Sequence, residues 1–194
     1  MNGYELAIVF TGHRIDAPGR SEPRFPARAE AAVKGAIRAA VLELRRQSTV
    51  GIAGGASGGD LLFHEVCAEL GIATLLRLAL PVDEYLRASV SEAGESWVRR
   101  FEALVERGGP NNIRVLAATA TTLIESQDVE PGVWERANLW MLEEARSLAQ
   151  ERTLLALWDG KGGDGPGGTE HLVRSAPAYG VQVAPLIEPQ RLFS

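Results

Sequence analysis

Short apolar runs alternate with longer amphipathic runs along most of this chain. A short apolar run bounded by turn residues predicts a buried strand, and apolar residues spaced three or four apart predict a helix. The pattern predicts strands over residues 6–10, 50–53, 72–80, 113–117, 153–158 and 181–186. It predicts helices over residues 27–46, 60–70, 91–107, 133–149 and 169–178, with loops at 12–26, 119–132 and 159–168.

This repeated order of strand and helix predicts the fold class. Strands that alternate with helices are typical of an α/β protein, and continuously apolar strands are typical of a parallel sheet covered on both faces. We therefore expect a single Rossmann-like domain over residues 1–194, with about six mostly parallel strands and helices on both faces. In such sheets ligands bind at the carboxyl ends of the strands, where the strand order reverses.

Charge and composition narrow the class of partner. The chain has 194 residues with 20 basic and 25 acidic side chains, which gives a formal charge of −5. A general nucleic-acid binder needs a basic face that displaces counterions, so the acidic balance argues against nucleic acid as a partner. Apolar residues make up 45% of the sequence, which is enough for a folded core.

The cysteine and histidine content gives no indication of a transition-metal site. Cys67 is the single cysteine, which excludes an internal disulfide and a metal site made of cysteines. The three histidines are scattered and form no H-E-x-x-H pattern, so we expect no bound transition metal. No cofactor is required, although magnesium could enter with a polyphosphate ligand.

The sequence shows no targeting or membrane signal. The first residues have no basic segment followed by an apolar core. The longest apolar runs are far shorter than the roughly 18–20 residues of a membrane helix. We therefore expect a cytoplasmic protein without a membrane partner.

The first glycine-rich turn, residues 54–60, follows a predicted strand and opens a helix. Glycines allow a ligand to approach the backbone, and free N–H groups at a helix start attract anions, most often phosphate. The alternative is a tight turn that binds nothing, and Asp60 could cap the helix as readily as contact a ligand. The residues expected to contact a ligand are Gly54, Gly55, Ala56, Ser57, Gly58 and Asp60.

The same turn also fits the G-x-S-x-G pattern of serine hydrolases, with Ser57 as the nucleophile. Asp159 and His171 follow it in the appropriate chain order. However, the turn comes after only the second predicted strand, and the sequence has no HGGG-type oxyanion segment. We therefore keep the serine hydrolase as a minor alternative.

A second glycine-rich turn follows the fifth predicted strand and opens another helix. It should lie on the same edge of the sheet as the first turn, so that two helix N-termini face one crevice. Thr169 can cap the helix or donate to phosphate, and Glu170 can complement the helix dipole or bind ribose hydroxyls. The residues expected to contact a ligand are Asp159, Gly160, Gly167, Gly168, Thr169 and Glu170.

A basic loop, residues 13–28, follows the first predicted strand. We expect the residues at the strand end, Thr11, Gly12, His13 and Arg14, to contact the ligand. Arginine matches phosphate in a bidentate way, and histidine ordinarily titrates near neutrality, so binding could depend on pH. Arg20, Arg24 and Arg28 are instead expected to pair with surface carboxylates.

For five further residues a structural or surface role is favoured over contact with a ligand. Trp134, Arg136 and Asn138 follow the loop after the fourth predicted strand and could reach a base, although a structural role is favoured. His64 is expected to be structural, and His171 is expected to lie on a helix surface.

Residues 11–14 (Thr-Gly-His-Arg), the turn at 54–60 and the ending at 158–169 together resemble the SLOG superfamily. This Rossmann-like group includes the LONELY GUY cytokinin-activating enzymes and the DNA-processing protein A domain, and the resemblance extends over essentially the whole chain. It is strongest to a sensor-like bacterial branch, whose members are thought to bind nucleotides or nucleotide-derived signals in antiviral or stress systems. LONELY GUY enzymes carry a PGGxGTxxE loop, whereas residues 166–169 are shorter and Leu172 occupies the position of their catalytic glutamate.

The resemblance implies a sensor that binds a nucleotide or a nucleotide-derived signalling molecule. It also implies self-association into at least a dimer and output through that assembly or through an effector protein. Ribose hydroxyls would be held by Asp60, Asp159 or Glu170. The alternative is a phosphoribohydrolase that cleaves the N-glycosidic bond of nucleoside 5′-monophosphates, with one of the same three carboxylates as the catalytic group.

Overall fold

In the computed structural model, which describes residues 3–116, 132–162 and 167–193, strands and helices alternate along the chain. The strands are β1 (Tyr4–Gly12), β2 (Thr49–Ala53), β3 (Ala73–Leu78), β4 (Ile113–Val115), β5 (Ala149–Leu157) and β6 (Gln182–Val183). The helices are α1 (Glu30–Leu44), α2 (Gly59–Glu69), α3 (Val82–Ser89), α4 (Glu95–Asn112), α5 (Val133–Leu148), α6 (Thr169–Ser175) and α7 (Gln190–Phe193). Short 3-10 helices span Ala27–Ala29, Ser91–Ala93 and Ala176–Tyr179.

All six described strands belong to one parallel sheet in the order β4–β3–β2–β1–β5–β6. The chain moves outward from the central strand β1 through β2, β3 and β4, and then crosses to the other side of β1 to form β5. The strand order therefore reverses between β1 and β5, which is where open α/β sheets bind ligands. The predicted α/β class and the Rossmann-like parallel sheet of six strands are confirmed.

Side chains of the central strand alternate between two cores. Leu6, Ile8 and Phe10 are fully buried in the core that contains side chains of α1, α2 and α4. Ala7 and Val9 point to the opposite face and pack in the core that contains side chains of α5 and α6. Burial on both faces explains why this strand is continuously apolar.

Some element boundaries differ from the sequence prediction. The eight-residue helix α3 was not predicted, although Pro81 before it and the spacing of Val82, Tyr85 and Leu86 form a short amphipathic pattern. Strand β5 begins at Ala149 and not at residue 153. The earlier start was missed because Gln150 and Glu151, which follow Ala149, are polar and exposed. The strand predicted over 181–186 shortens to two residues, and helix α4 continues past the predicted end with an interruption at Gly109.

The loop predicted at 119–132 lies outside the described residues except for Gly132. None of the helices in the described part of the chain is both long enough and apolar enough to cross a membrane.

Candidate functional site

A cleft of about 530 Å³ lies at the carboxyl ends of the strands, beside the reversal between β1 and β5. Both glycine-rich turns contribute to its wall, as the sequence predicted. The predicted residues that line it are Thr11, Gly12, His13, Arg14, Gly54, Ala56, Ser57, Asp60, Gly167, Gly168 and Thr169. The predicted residues that are not among the described lining are Gly55, Gly58, Asp159, Gly160 and Glu170.

Four N–H groups of the first glycine-rich turn already donate hydrogen bonds within the protein. The pairs are Gly55 N to Tyr85 Oη (3.0 Å), Ala56 N to Asp60 Oδ2 (3.2 Å), Ser57 N to Ser89 O (3.0 Å) and Gly59 N to His13 O (3.1 Å). The turn therefore differs from the expected cradle of free N–H groups. It contributes to the cleft through the side chains of Ser57 and Asp60.

Asp60 is a partly buried carboxyl group in the wall of the cleft. The N-cap of α2 is Gly58 and no side chain caps the helix, so Asp60 does not have the capping role that the sequence allowed. Burial raises the pKa of Asp60 to about 7, against the smaller opposing effect of the hydrogen bond from Ala56 N–H. Asp60 can therefore exchange a proton near neutral pH.

Tyr85 on α3 also lines the cleft, and its hydroxyl group lies near Gly54 together with Asp60. A Cβ atom added to Gly54 would lie 2.8 Å from Asp60 Oδ2 and 2.9 Å from Tyr85 Oη, so glycine is needed for this approach. Burial, together with the charge of Asp60, raises the pKa of Tyr85. Below the turn, the ring nitrogens of His64 contact Gly54 O and Thr74 Oγ1, both at 2.9 Å, which confirms its predicted structural role.

We expect replacement of Asp60 by asparagine to stabilise the protein more at about pH 8 than at about pH 5. The pKa of Asp60 is raised to about 7 in the folded state, whereas an unfolded aspartate ionises near its usual value. Between these values the unfolded state binds fewer protons, so the wild-type protein loses stability as pH rises and D60N does not. Melting temperatures of D60N, wild type and the exposed control D83N at both pH values test this. An equal shift at both pH values would contradict it.

Asp159 has a buried side chain that links the basic loop to the segment after β5. Its side chain is only 2% exposed, its Oδ1 atom accepts a hydrogen bond from Lys161 N (3.0 Å), and Oδ1 lies 3.2 Å from His13 Nε2. Its Oδ2 atom pairs with Arg24 Nε at 3.4 Å. Burial alone would raise the pKa of Asp159, but the Lys161 N–H and the charges of His13 and Arg24 hold it below its usual range.

This arrangement corrects one expectation. Arg24 was expected to pair with a surface carboxylate, but its side chain is 15% exposed and pairs with the buried Asp159. It also donates to Gly162 O (2.5 Å), so it links the basic loop to the segment after β5. Asp159 therefore positions His13 and Arg24, and its carboxylate is occupied by protein partners.

Arg14 follows the end of β1 and contacts the last turn of α3 and the segment after it. Its Nη1 donates to Ala88 O (3.1 Å) and its Nη2 pairs with Glu92 (2.9 Å). The Arg14 side chain is 45% exposed and Glu92 is 67% exposed, so water weakens this pair. Arg14 therefore presents a guanidinium group at the mouth of the cleft.

The second glycine-rich turn is held against the start of α5. Gly167 has φ +76°, and a Cβ atom there would lie 2.3 Å from Trp134 Cβ, so only glycine fits. Asn138 Nδ2 donates to Gly167 O (2.7 Å) and lies 3.3 Å from His171 Nδ1. Asn138 thus holds the turn, which is the structural role favoured for it. His171 is half-buried on α6, beside Asn138.

Thr169 and Glu170, at the start of α6, have different partners. Thr11 Oγ1 donates to Thr169 Oγ1 at 3.4 Å, so the end of β1 meets the start of α6 inside the cleft. Glu170 instead pairs with Arg174 on the next turn of α6 at 2.6 Å. Its place in the first turn of the helix fits the predicted interaction with the helix dipole.

Several side chains of the cleft were not assigned to the site from the sequence, among them Tyr85, Ser89 and Asp16. Tyr85 and Ser89 lie on α3, which was not predicted, and Asp16 lies in the basic loop. The signal for Tyr85 was its spacing from Val82 and Leu86. No sequence pattern identifies Asp16, because its place depends on how residues 16–25 close into a loop.

The geometry around Ser57 does not fit a serine hydrolase. A nucleophile elbow holds its serine in a strained backbone conformation, whereas no residue other than glycine has a positive φ in the described ranges. His64 contacts Gly54 and Thr74, His13 contacts Asp159, and His171 contacts Asn138. No hydrogen bond joins Ser57 to any of these three described histidines.

Comparisons with known proteins do not extend these findings. The chain matches no protein-family model and no curated protein sequence.

Within the described residues, no group of three or more His, Cys, Asp or Glu side chains is placed to hold a metal ion.

Proposed function

We propose that the cleft binds a nucleotide or a nucleotide-derived signalling molecule, and that the protein is a sensor of that ligand. The observation that carries this proposal is the combination of guanidinium groups and an accessible aromatic ring in one cavity at the β1–β5 reversal. The volume of about 530 Å³ lies within the roughly 300–1,000 Å³ typical of small-molecule sites.

The charged groups favour an anionic ligand. Arg14, Arg20 and Arg24 all line the cleft in a protein of net charge −5. Because the N–H groups of the first turn are largely occupied, we assign the phosphate contacts mainly to these guanidinium groups. Magnesium would enter, if at all, with a polyphosphate ligand.

The aromatic residues favour a ligand with a flat ring. Tyr85 is buried and stacks on Phe101, with ring centroids 5.9 Å apart. Trp134 also packs against Tyr85, with centroids 5.6 Å apart, and is partly exposed in the cleft wall. A base could stack on the exposed part of the Trp134 ring.

The proposal includes the biological setting that the sequence suggests. The chain would be a single SLOG-like domain that self-associates and passes the signal through that assembly or to an effector protein. The partner would be a small molecule and not a nucleic acid, and the protein would act in the cytoplasm. The motifs at residues 11–14, 54–60 and 158–169 support this part of the proposal.

Substitution of Arg14 tests the site. The wild-type protein is incubated with a pool of AMP, ADP, ATP, NAD, ADP-ribose and cyclic mononucleotides, and mass spectrometry identifies what the protein retains. We expect R14A to lower affinity for the retained compound at least about tenfold, because a charge-assisted hydrogen bond contributes about 1.5–3 kcal/mol.

Arg46 provides a closely matched control for Arg14. Its side chain is 46% exposed, it pairs with the exposed Glu151 at 3.0 Å, and it donates to the carbonyl oxygen of Leu44. None of these three residues is among the described lining of the cleft. R46A should therefore bind as the wild type does. Retention of no compound by the wild type, or equal binding by R14A and R46A, would contradict the proposal.

A second candidate function rests on Asp60. A carboxyl group with a pKa of about 7 in the cleft suits general acid–base chemistry, whereas Asp159 is occupied by protein partners and Glu170 does not line the described cleft. In N-glycosidic hydrolysis the bond between C1′ and the base breaks, water adds to C1′, and the base takes up a proton. The retention assay separates the two functions, since free base with ribose phosphate would identify the hydrolase and D60N should then stop base release.

A further inference from the structure

Asp16 closes the neck of the basic loop. Its N–H donates to Phe25 O (2.8 Å), and its Oδ2 atom accepts hydrogen bonds from Arg24 N (2.9 Å) and Phe25 N (3.0 Å). The side chain is 7% exposed. One oxygen of this carboxylate is thus committed to holding residues 16–25 as a closed loop.

The other oxygen of Asp16 is buried without a hydrogen bond. Oδ1 has no hydrogen-bond partner among the residues that the structure describes. Arg20 Nε lies 3.7 Å away, within the range of an ion pair but too far for a hydrogen bond. A buried carboxylate oxygen without a donor costs free energy that a ligand supplying one would recover.

The position of Asp16 makes this oxygen relevant to the ligand. Asp16 lines the cleft, and with Ile15, Ala17 and Arg20 it also lines an adjoining cavity of about 410 Å³. The Arg20 side chain, which borders Oδ1, is a third exposed. Rotation of this side chain toward a ligand phosphate would open Oδ1 to a donor in the cleft.

The other carboxylates near the cleft are less suited to receive a hydrogen bond from a ligand. The oxygens of Asp159 contact Lys161, His13 and Arg24. Glu92 pairs with Arg14 at the exposed mouth, and Glu170 pairs with Arg174. Asp60 accepts from Ala56 N–H, and its raised pKa leaves it only partly ionised at neutral pH.

We infer that Asp16 Oδ1 accepts a hydrogen bond from a ribose hydroxyl of the bound nucleotide, and that Asp16 therefore selects ribonucleotides over deoxyribonucleotides. This inference rests on the proposed nucleotide-binding function. It assigns the ribose to a residue outside the set suggested by the sequence, which was Asp60, Asp159 and Glu170.

Replacement of Asp16 by asparagine tests this with little change of shape. The N–H groups of Arg24 and Phe25 both need an oxygen at the Oδ2 position, so the new NH₂ group must occupy the Oδ1 position. D16N thus turns the free acceptor into a donor and keeps the neck of the loop closed. An unchanged melting temperature verifies the fold, and D83N controls for the loss of a carboxylate on an exposed site.

The probes are AMP, ADP and ATP, each with its 2′-deoxy and 3′-deoxy counterparts, and affinities are measured by calorimetry. We expect the wild type and D83N to prefer a ribonucleotide over one of its deoxy forms by about tenfold. D16N should bind the ribonucleotide about tenfold more weakly and lose the preference. Ribonucleotide binding with the same preference in D16N would overturn the inference and leave the proposed function intact. Failure of the wild type to bind any of these probes would overturn the inference, and the retention assay with the wider pool then decides the proposed function.

Discussion

Replacing Gly58 by alanine is expected to lower the free energy of unfolding by about 3 kcal/mol or more. Gly58 has φ +103°, and a Cβ atom there would lie 2.4 Å from Ile15 N and 2.8 Å from His13 O. These are backbone atoms of the segment that pairs with Gly58 through the bridge to Arg14. The cost therefore combines backbone strain with displacement of the chain that carries His13 and Arg14 into the cleft.

Gly94 gives the matched control for this substitution. Its φ is +99°, but a Cβ atom there would meet no atom within 4 Å. G94A should therefore cost only the unfavourable backbone conformation, about 1–3 kcal/mol. Denaturation with urea measures both variants. Equal losses for G58A and G94A would show that the close approach of the two backbone segments does not limit stability.

The second large effect is expected at Arg77, where alanine should lower the free energy of unfolding by about 3–5 kcal/mol. The Arg77 side chain is 2% exposed and pairs with Glu144 on α5 through Nε and through Nη2, the latter at 2.6 Å. Its Nη1 donates to the carbonyl oxygens of Leu76 and Asn112. Truncation leaves Glu144, which is 10% exposed, as a poorly compensated buried charge.

Arg114 contacts the same carboxylate from the surface. Its Nη1 lies 3.7 Å from Glu144 Oε1, and its side chain is 65% exposed. R114A should therefore cost less than about 1 kcal/mol. Urea denaturation of R77A and R114A compares a buried and an exposed partner of one carboxylate. Similar losses in the two variants would contradict the importance of burial here.

The fold could be predicted because local patterns and the global architecture agree. Continuous apolar runs marked the central strands, and the positions of glycine and proline marked where most elements end. These patterns also placed both glycine-rich turns on one edge of the sheet. The polar start of β5 and the short helix α3 carry weak patterns of this kind, so their boundaries were missed or misplaced.

The details of the site could not be predicted because they depend on contacts between distant segments. Tyr85 Oη accepts a hydrogen bond from the N–H of Gly55, which lies 30 residues earlier in the chain. The N–H of Asp159 donates to His13 Nε2, which lies 146 residues earlier. Such contacts decide which N–H groups and carboxylates remain available to a ligand. The free oxygen of Asp16 likewise depends on the closure of its loop.

The central claim is that the cleft beside the β1–β5 reversal holds a nucleotide, and hydrogen-exchange mass spectrometry tests it most directly. Exchange is measured without ligand and with AMP, ADP, ATP, NAD or ADP-ribose at millimolar concentration. A bound nucleotide should slow exchange in residues 11–16, in residues 54–62 and in the first turn of α5, which border the cleft. Unchanged exchange with every nucleotide, or slowing confined to the outer surface of α1 and α4, would contradict the claim.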